Sequence, residues 1–137
     1  EDRFQIVKHV DAKIVVVKLL PFGNEDVLRL ILESNSFDGM VLEAFGTGNI
    51  PNFSPELKKL FTIKIAKGFK IVVVSQCLKG GVTIGKYQAS IVAKSLGFIS
   101  GNGMTTESAV SKMIFIHHKK LNSQEYQAFF VKSLKGE

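Results

Sequence analysis

The sequence KIVVVKLL occupies residues 13–20 and decides the fold class. Its β-branched side chains favour extended backbone, and such a near-continuous apolar run is typical of a strand buried on both faces of a sheet. Comparable runs recur at residues 40–44 and 69–74, with a short one at 98–99. Each run is too short for a typical helix and is followed by a loop rich in glycine, asparagine or serine. The pattern therefore predicts four strands.

Helices are expected between and after the strands, over about residues 24–32, 54–67, 87–96 and 105–118, and from about 122 onward. Ser54 provides a capping hydroxyl and is followed by Pro55, a residue favoured in the first helical turn. Asn24 is expected to cap the first helix with its side chain. Asn122 and Glu125 have the spacing of a capping box.

The resulting order, β-α-β-α-β-α-β-α-α, predicts an α/β fold: a small four-stranded parallel sheet with helices on both faces. A length of 137 residues fits a single domain of this kind. Residues 1–12 are polar and lack an initiator methionine, so we expect them to be a linker from a preceding domain. Residues 13–137 then form the folded unit.

Composition excludes several classes of protein. The net charge is +6, but 16 of the 18 basic residues are lysines spread along the chain, which argues against a nucleic-acid interface. Charged residues interrupt every long apolar run, so neither a transmembrane helix nor another membrane contact is expected. A single cysteine excludes a disulfide framework and suits a reducing compartment such as the cytoplasm.

Candidate site residues follow the predicted strands, because ligands of open parallel sheets bind outside the carboxyl ends of the strands. After the second strand come Thr47, Gly48 and Asn49, in a segment that suits either a tight turn or a close backbone approach to a ligand. Glu43 ends that strand, where its carboxylate must either line a crevice or be paired. Ser75, Gln76 and Cys77 follow the third strand.

No complete catalytic set is visible among these residues. A nucleophilic Cys77 would need a nearby base, and all three histidines fall far from loops of this kind. His117 and His118 are adjacent on a predicted helix and point about 100° apart, so they cannot chelate one metal together. From the residues alone we therefore predict a polar crevice without a metal or a cofactor.

Three segments together resemble the C-terminal domain of type I (cytosolic) L-asparaginases. They are VLEAFGTGNIP at residues 41–51, VVSQC at 73–77 and SGNGMTTESA at 100–109. They occur in order and at compatible spacing over nearly the whole chain. The resemblance implies an amidohydrolase that converts L-asparagine to L-aspartate and ammonia. It also implies that the threonine nucleophiles lie in an N-terminal domain upstream, so that this fragment alone is inactive.

The resemblance further implies a homo-oligomer, a dimer or a tetramer, in which this domain edges the active site of a neighbouring subunit. Asn49, with Thr47 and Gly48 beside it, is expected to form that edge. Glu43, Ser75, Gln76 and Cys77 are expected to mark a possible allosteric ligand pocket, because some bacterial members bind asparagine between subunits and Cys77 matches a cysteine there. Those members carry an arginine where this chain has Glu43, so regulation through the same contacts is not expected.

Two other functions stay open at this point. One is the C-terminal domain of an asparaginase-like subunit of glutamyl-tRNA(Gln) amidotransferase, which would act with a protein partner. The other is a module that binds an amino acid or supports assembly without catalysis.

Overall fold

The computed structural model describes residues 11–22, 24–46, 48–75, 91–101 and 103–131. In these residues the strands are β1 (Ile14–Lys18), β2 (Gly39–Ala44), β3 (Lys70–Ser75) and β4 (Ile99–Ser100). The helices are α1 (Glu25–Ser34), α2 (Pro55–Ala66), α3 (Thr106–His117) and α4 (Ser123–Val131), and residues 91–95 are also helical. All described strand pairs are parallel, in the order β1-β2-β3-β4. The predicted fold class is confirmed.

The sheet separates two layers of apolar side chains. In one row across the sheet, Val16, Val41, Val72 and Ile99 are in register and share a face. On that face the last three of them pack with buried side chains of α3 and α4. On the opposite face, Met40, Leu42 and Ile71 pack against α1 and α2. Both faces of the central strands are therefore covered.

The prediction that the first strand is buried on both faces is wrong for its middle. Val16 remains 42% exposed, whereas Val41 beside it in the same row is fully buried. In the described sheet β1 has a neighbour on only one side. An apolar run indicates a strand, but it does not indicate whether that strand lies at the centre or at the edge.

The helix starts agree with the sequence pattern except at α1. Ser54 Oγ accepts a hydrogen bond from Leu57 N at 3.3 Å. Glu125 N donates to Asn122 Oδ1 at 2.9 Å, and Asn122 N donates to Glu125 Oε1 at 3.2 Å, which confirms the capping box. Asn24 occupies the cap position of α1, but its side chain makes no capping hydrogen bond and instead donates to Lys18 O at 2.9 Å. This hydrogen bond connects the start of α1 to the end of β1.

The last helix is fixed to β4 by a side-chain amide. Ser100 N donates to Gln127 Oε1 at 2.9 Å, and Gln127 Nε2 donates to Ser100 O at 3.3 Å. The amide thereby provides one donor and one acceptor, as a further strand would. This pairing protects part of the short β4 and holds α4 against the sheet.

The same helix carries a buried phenol. Tyr126 is 3% exposed, and Lys70 Nζ lies 5.5 Å from the centroid of its ring. Burial raises the pKa of Tyr126 above its ordinary value. Burial also lowers the pKa of Lys70, an effect that the nearby negative charge of Glu125 partly offsets.

Stability should therefore fall at high pH because of Tyr126. Above about pH 10 a tyrosine in the unfolded chain loses its proton, whereas folded Tyr126 keeps it. The unfolded state then binds fewer protons than the folded state, so the free energy of unfolding decreases as pH rises, by up to about 1.4 kcal/mol per pH unit. Urea unfolding at pH 8 and pH 11 should show a smaller decrease for Tyr126→Phe than for the wild type. Equal decreases would contradict the assignment to Tyr126.

No helix in the described part of the chain combines the length and the apolar character needed to span a bilayer.

Candidate functional site

A tight turn after β2 holds Asn49. Asn49 N donates to Phe45 O at 2.8 Å, and Phe45 N donates to Asn49 O at 2.9 Å. Gly46 and Gly48 adopt φ angles of +58° and +109°, a region that residues with a side chain rarely enter. A Cβ atom on Gly46 would lie 3.5 Å from Asn49 Nδ2, so the amide is folded over this glycine. The tight turn that the glycines suggest is present, and it gives Asn49 a defined position.

The Asn49 side chain is half-buried, and among the described residues its amide has no hydrogen-bond partner. A primary amide offers two donor hydrogens and an acceptor oxygen. It can therefore contact either a carboxylate or an ammonium group of a ligand. This amide is the group of the turn that is best suited to binding.

Glu43, at the end of β2, is paired with the start of α3. Thr106 Oγ1 donates to Glu43 Oε2 at 2.9 Å, and both residues are half-buried. Thr106 is the first residue of α3, where the helix dipole favours a negative charge. Of the two situations open to this carboxylate, a crevice wall or a paired state, the structure shows the paired one.

A cleft of about 520 Å³ lies at the carboxyl edge of β3 and β4. This volume is within the range of about 300–1,000 Å³ of small-molecule sites. Apolar groups form most of the wall, together with a few polar groups. The described lining includes Gly48, Ser75, Phe98, Ser100, Gln124 and Gln127. The structure thus brings together Gly48 and Ser75, two of the predicted site residues. Glu43 is not among the described residues that line this cleft.

Three predicted site residues, Thr47, Gln76 and Cys77, lie outside the described residues. The expected ligand pocket of Glu43, Ser75, Gln76 and Cys77 therefore stays a prediction.

One contact beside this site was missed in the sequence. The carboxylate of Glu25 accepts two hydrogen bonds from Ser54, one from its N atom at 3.0 Å and one from its Oγ atom at 2.7 Å. The two residues are 29 positions apart, so no local motif relates them. The signal that was available is topological: right-handed crossovers between neighbouring parallel strands place consecutive helices side by side. Glu25 begins α1 and Ser54 caps α2, so their helix starts are adjacent.

In the described part of the chain, no group of three or more His, Cys, Asp or Glu side chains lies close enough together to hold a metal ion. His117 Nε2 lies 3.9 Å from Asp38 Oδ1, and the ring of His118 meets the ring of Phe115 edge to face. Both histidines are exposed residues at the end of α3, away from the turn that holds Asn49.

Comparisons with known proteins agree with this fold. Residues 13–130 match the family model described as the Glutaminase/Asparaginase C-terminal domain. The crystal structure of L-asparaginase I from Vibrio cholerae is similar with a TM-score of 0.76 and 32% identity, over 92% of this chain and 37% of that chain.

Curated relatives carry different names. The 60 kDa lysophospholipase of Homo sapiens is 34% identical over 123 residues, which are 89% of this chain and 21% of that protein. A glutamyl-tRNA(Gln) amidotransferase subunit of Methanopyrus kandleri is 25% identical over 127 residues, 93% of this chain and 27% of that protein. Proteins named L-asparaginase are also among the relatives.

This chain spans only about a fifth to two fifths of the length of the relatives that it matches first. The similarity to the C-terminal part of type I asparaginases, expected from three sequence segments, is confirmed by the family model and by the Vibrio cholerae structure. The sheet order and both apolar layers belong to the matched region. The chain is therefore a member of the glutaminase/asparaginase C-terminal domain family.

Proposed function

We propose that this chain is the C-terminal domain of a type I L-asparaginase, an amidohydrolase that converts L-asparagine to L-aspartate and ammonia. In this proposal the threonine nucleophiles belong to an N-terminal domain outside these 137 residues, to which residues 1–12 lead. The observation that carries the proposal is the placement of Asn49. Its amide is held on a tight turn at the carboxyl edge of the sheet, half-buried and in a position to contact a ligand.

The proposed role of Asn49 is to complete the substrate site of a neighbouring subunit. L-Asparagine carries an α-carboxylate and an α-ammonium group, and one amide can donate to the first or accept from the second. Such a contact orients the substrate for attack by a nucleophile from the other domain. The domain therefore acts by orienting the substrate and by supporting a dimer or tetramer, and it needs no cofactor. A cytoplasmic location, suggested by the single cysteine, is part of the same proposal.

A second candidate is supported by the similarity to the amidotransferase subunit of Methanopyrus kandleri. In that case the full protein would release ammonia from an amide substrate for a partner protein rather than act alone. The similarity to the human lysophospholipase gives a third reaction to test, with a lysophospholipid as the substrate. Assays of the full-length protein with L-asparagine, L-glutamine and a lysophospholipid separate the three. The proposal expects L-asparagine to be hydrolysed without a partner.

Asn49→Ala in the full-length protein should lower kcat/KM for L-asparagine by about 10- to 100-fold, because hydrogen bonds to charged groups contribute about 1.5–3 kcal/mol. Unfolding of the variant should stay close to that of the wild type, since the turn is held by backbone hydrogen bonds. The neighbouring exposed Asn52→Ala is the matched control and should leave kcat/KM unchanged. The 137-residue chain alone should show no turnover. Turnover by that chain, or unchanged kinetics in Asn49→Ala, would refute the proposed site.

A further inference from the structure

The start of α1 is bonded to the start of α2 through one carboxylate. Both oxygens of Glu25 are used, Oε2 by Ser54 N and Oε1 by Ser54 Oγ. Ser54 Oγ also accepts from Leu57 N, within the first turn of α2. Glu25 and Ser54 are half-buried. Partial burial limits competition from water, so these hydrogen bonds order the residues more than fully exposed ones would.

The segment between Asn49 and Ser54 has little conformational freedom. Asn49 is fixed at one end by its backbone pairing with Phe45. At the other end Phe53 is buried, with 2% of its surface exposed. Between them Pro51 fixes its own φ angle and restricts the residue before it. We therefore expect a displacement of Ser54 to pass along this short segment to Asn49.

We propose that Glu25 is a positioning residue for Asn49: through Ser54 it fixes the end of the loop that holds the Asn49 amide in the substrate site. This inference rests on the proposed function of Asn49. Glu25 itself does not touch the substrate. Removal of the Glu25 carboxylate leaves the N and Oγ donors of Ser54 without their acceptor and loosens the loop between β2 and α2.

Asp26 provides a matched control on the same helix turn. Both acidic residues lie in the first turn of α1, so both interact with the positive end of the helix dipole. The Asp26 side chain is 95% exposed, and it lies 3.8 Å from Arg29. Asp26→Ala thus removes a charge from the same helix end without touching Ser54. Any effect specific to Glu25→Ala then comes from the contact with α2.

The kinetic test uses the full-length protein and L-asparagine. Glu25→Ala should lower kcat by about 3- to 10-fold, because a catalytic group misplaced by a fraction of an ångström loses part of its effect. Glu25→Gln should recover most of that loss, because its Oε1 still accepts from Ser54. Asp26→Ala should match the wild type. The double variant Glu25→Ala/Asn49→Ala should be no slower than Asn49→Ala, because Glu25 acts only through Asn49.

A second measurement reports on position without activity. In the full-length protein, hydrogen exchange of the Phe45 and Asn49 amides should be faster in Glu25→Ala than in the wild type, and unchanged in Asp26→Ala. These two amides form the turn that holds the Asn49 side chain.

The outcomes separate the two proposals. Unchanged kcat/KM in Asn49→Ala would overturn the proposed function, and this inference with it. A large loss in Asn49→Ala together with wild-type kinetics or exchange in Glu25→Ala would overturn the inference alone. Losses that multiply in the double variant would also overturn it, because Glu25 would then act independently of Asn49.

Discussion

Replacing Phe61 with alanine is expected to lower the free energy of unfolding by about 3–5 kcal/mol, the usual cost of deleting a buried aromatic side chain. Phe61 is fully buried. Its ring centroid lies 5.1 Å from that of Phe53 and 4.9 Å from that of Phe98, with both pairs edge to face. The variant would lose the burial of the side chain and both ring contacts, and it would leave a cavity between α2 and the sheet.

Small domains have a total stability of only about 5–15 kcal/mol, so this variant should be visibly less stable in urea unfolding. Phe115→Ala is the matched control, because Phe115 is 37% exposed on α3 and meets only the ring of His118 among the described aromatic contacts. That control should lose about 1 kcal/mol or less. Similar losses of stability in the two variants would show that the cluster formed by the rings of Phe53, Phe61 and Phe98 is not the centre of this layer.

The cluster also matters for the proposed site. Phe53 immediately precedes Ser54, whose hydrogen bonds to Glu25 complete the link to α1. The ring therefore holds the end of the same loop that carries Asn49. Phe61→Leu, which retains most of the apolar volume, should keep more stability than Phe61→Ala and a better ordered loop.

Two strands that share a four-residue sequence show how much of the structure the sequence alone predicts. The quartet Ile-Val-Val-Val occurs at residues 14–17 and again at 71–74. Both quartets are strands, as their β-branched composition predicts. The first lies at the edge of the described sheet and the second in its interior, so Val15 is half-buried whereas its counterpart Val72 is fully buried. Local propensity therefore predicts that a segment forms a strand. How deeply that strand is buried depends on the order of the strands in the sheet, which is a property of the whole chain.

The two asparagines at helix starts illustrate the same limit. Asn122 caps α4 as its spacing to Glu125 predicts, because the partners lie within one turn. Asn24 has a suitable residue type and position, yet its amide bonds to Lys18 O at the end of β1. The conformation of the Asn24 side chain is determined by an acceptor from another element. The sequence around Asn24 does not reveal that acceptor.

For the candidate site, the sequence predicted the turn at Asn49 and the edge of the sheet where the cleft lies, because glycines and polar residues follow parallel strands there. It could not reveal the contact between Glu25 and Ser54, which requires α1 and α2 to be side by side. It also left the state of Glu43 open, and only the packing of α3 against β2 brought Thr106 within 2.9 Å of its carboxylate. Contacts between distant elements are the part that sequence patterns leave undetermined.

Gly101→Ala is expected to cost about 3 kcal/mol of stability and to disturb the cleft at the same time. Gly101 is buried after β4, and its N atom donates to Val73 O at 2.8 Å. A Cβ atom there would lie 2.6 Å from Val74 Cγ1 and 2.9 Å from Val73 O. The second of these is a backbone atom of the central strand β3, so relief requires β4 to move away from β3. Forced overpacking of this kind typically costs about 1–3 kcal/mol, and the weakened hydrogen bond adds to it.

Gly68→Ala separates this steric effect from backbone strain. Gly68 has a φ angle of +102°, but a methyl group on its Cα would meet no described residue within 4 Å apart from its two chain neighbours. Alanine there should cost only about 1 kcal/mol, from the unfavourable φ angle. Because Ser75, Ser100 and Gly103 line the cleft on either side of Gly101, a shift of β4 in Gly101→Ala should also change the amide chemical shifts of these residues, whereas Gly68→Ala should not. A Gly101→Ala variant as stable as Gly68→Ala, with unchanged shifts at the cleft, would contradict the close approach of β3 and β4.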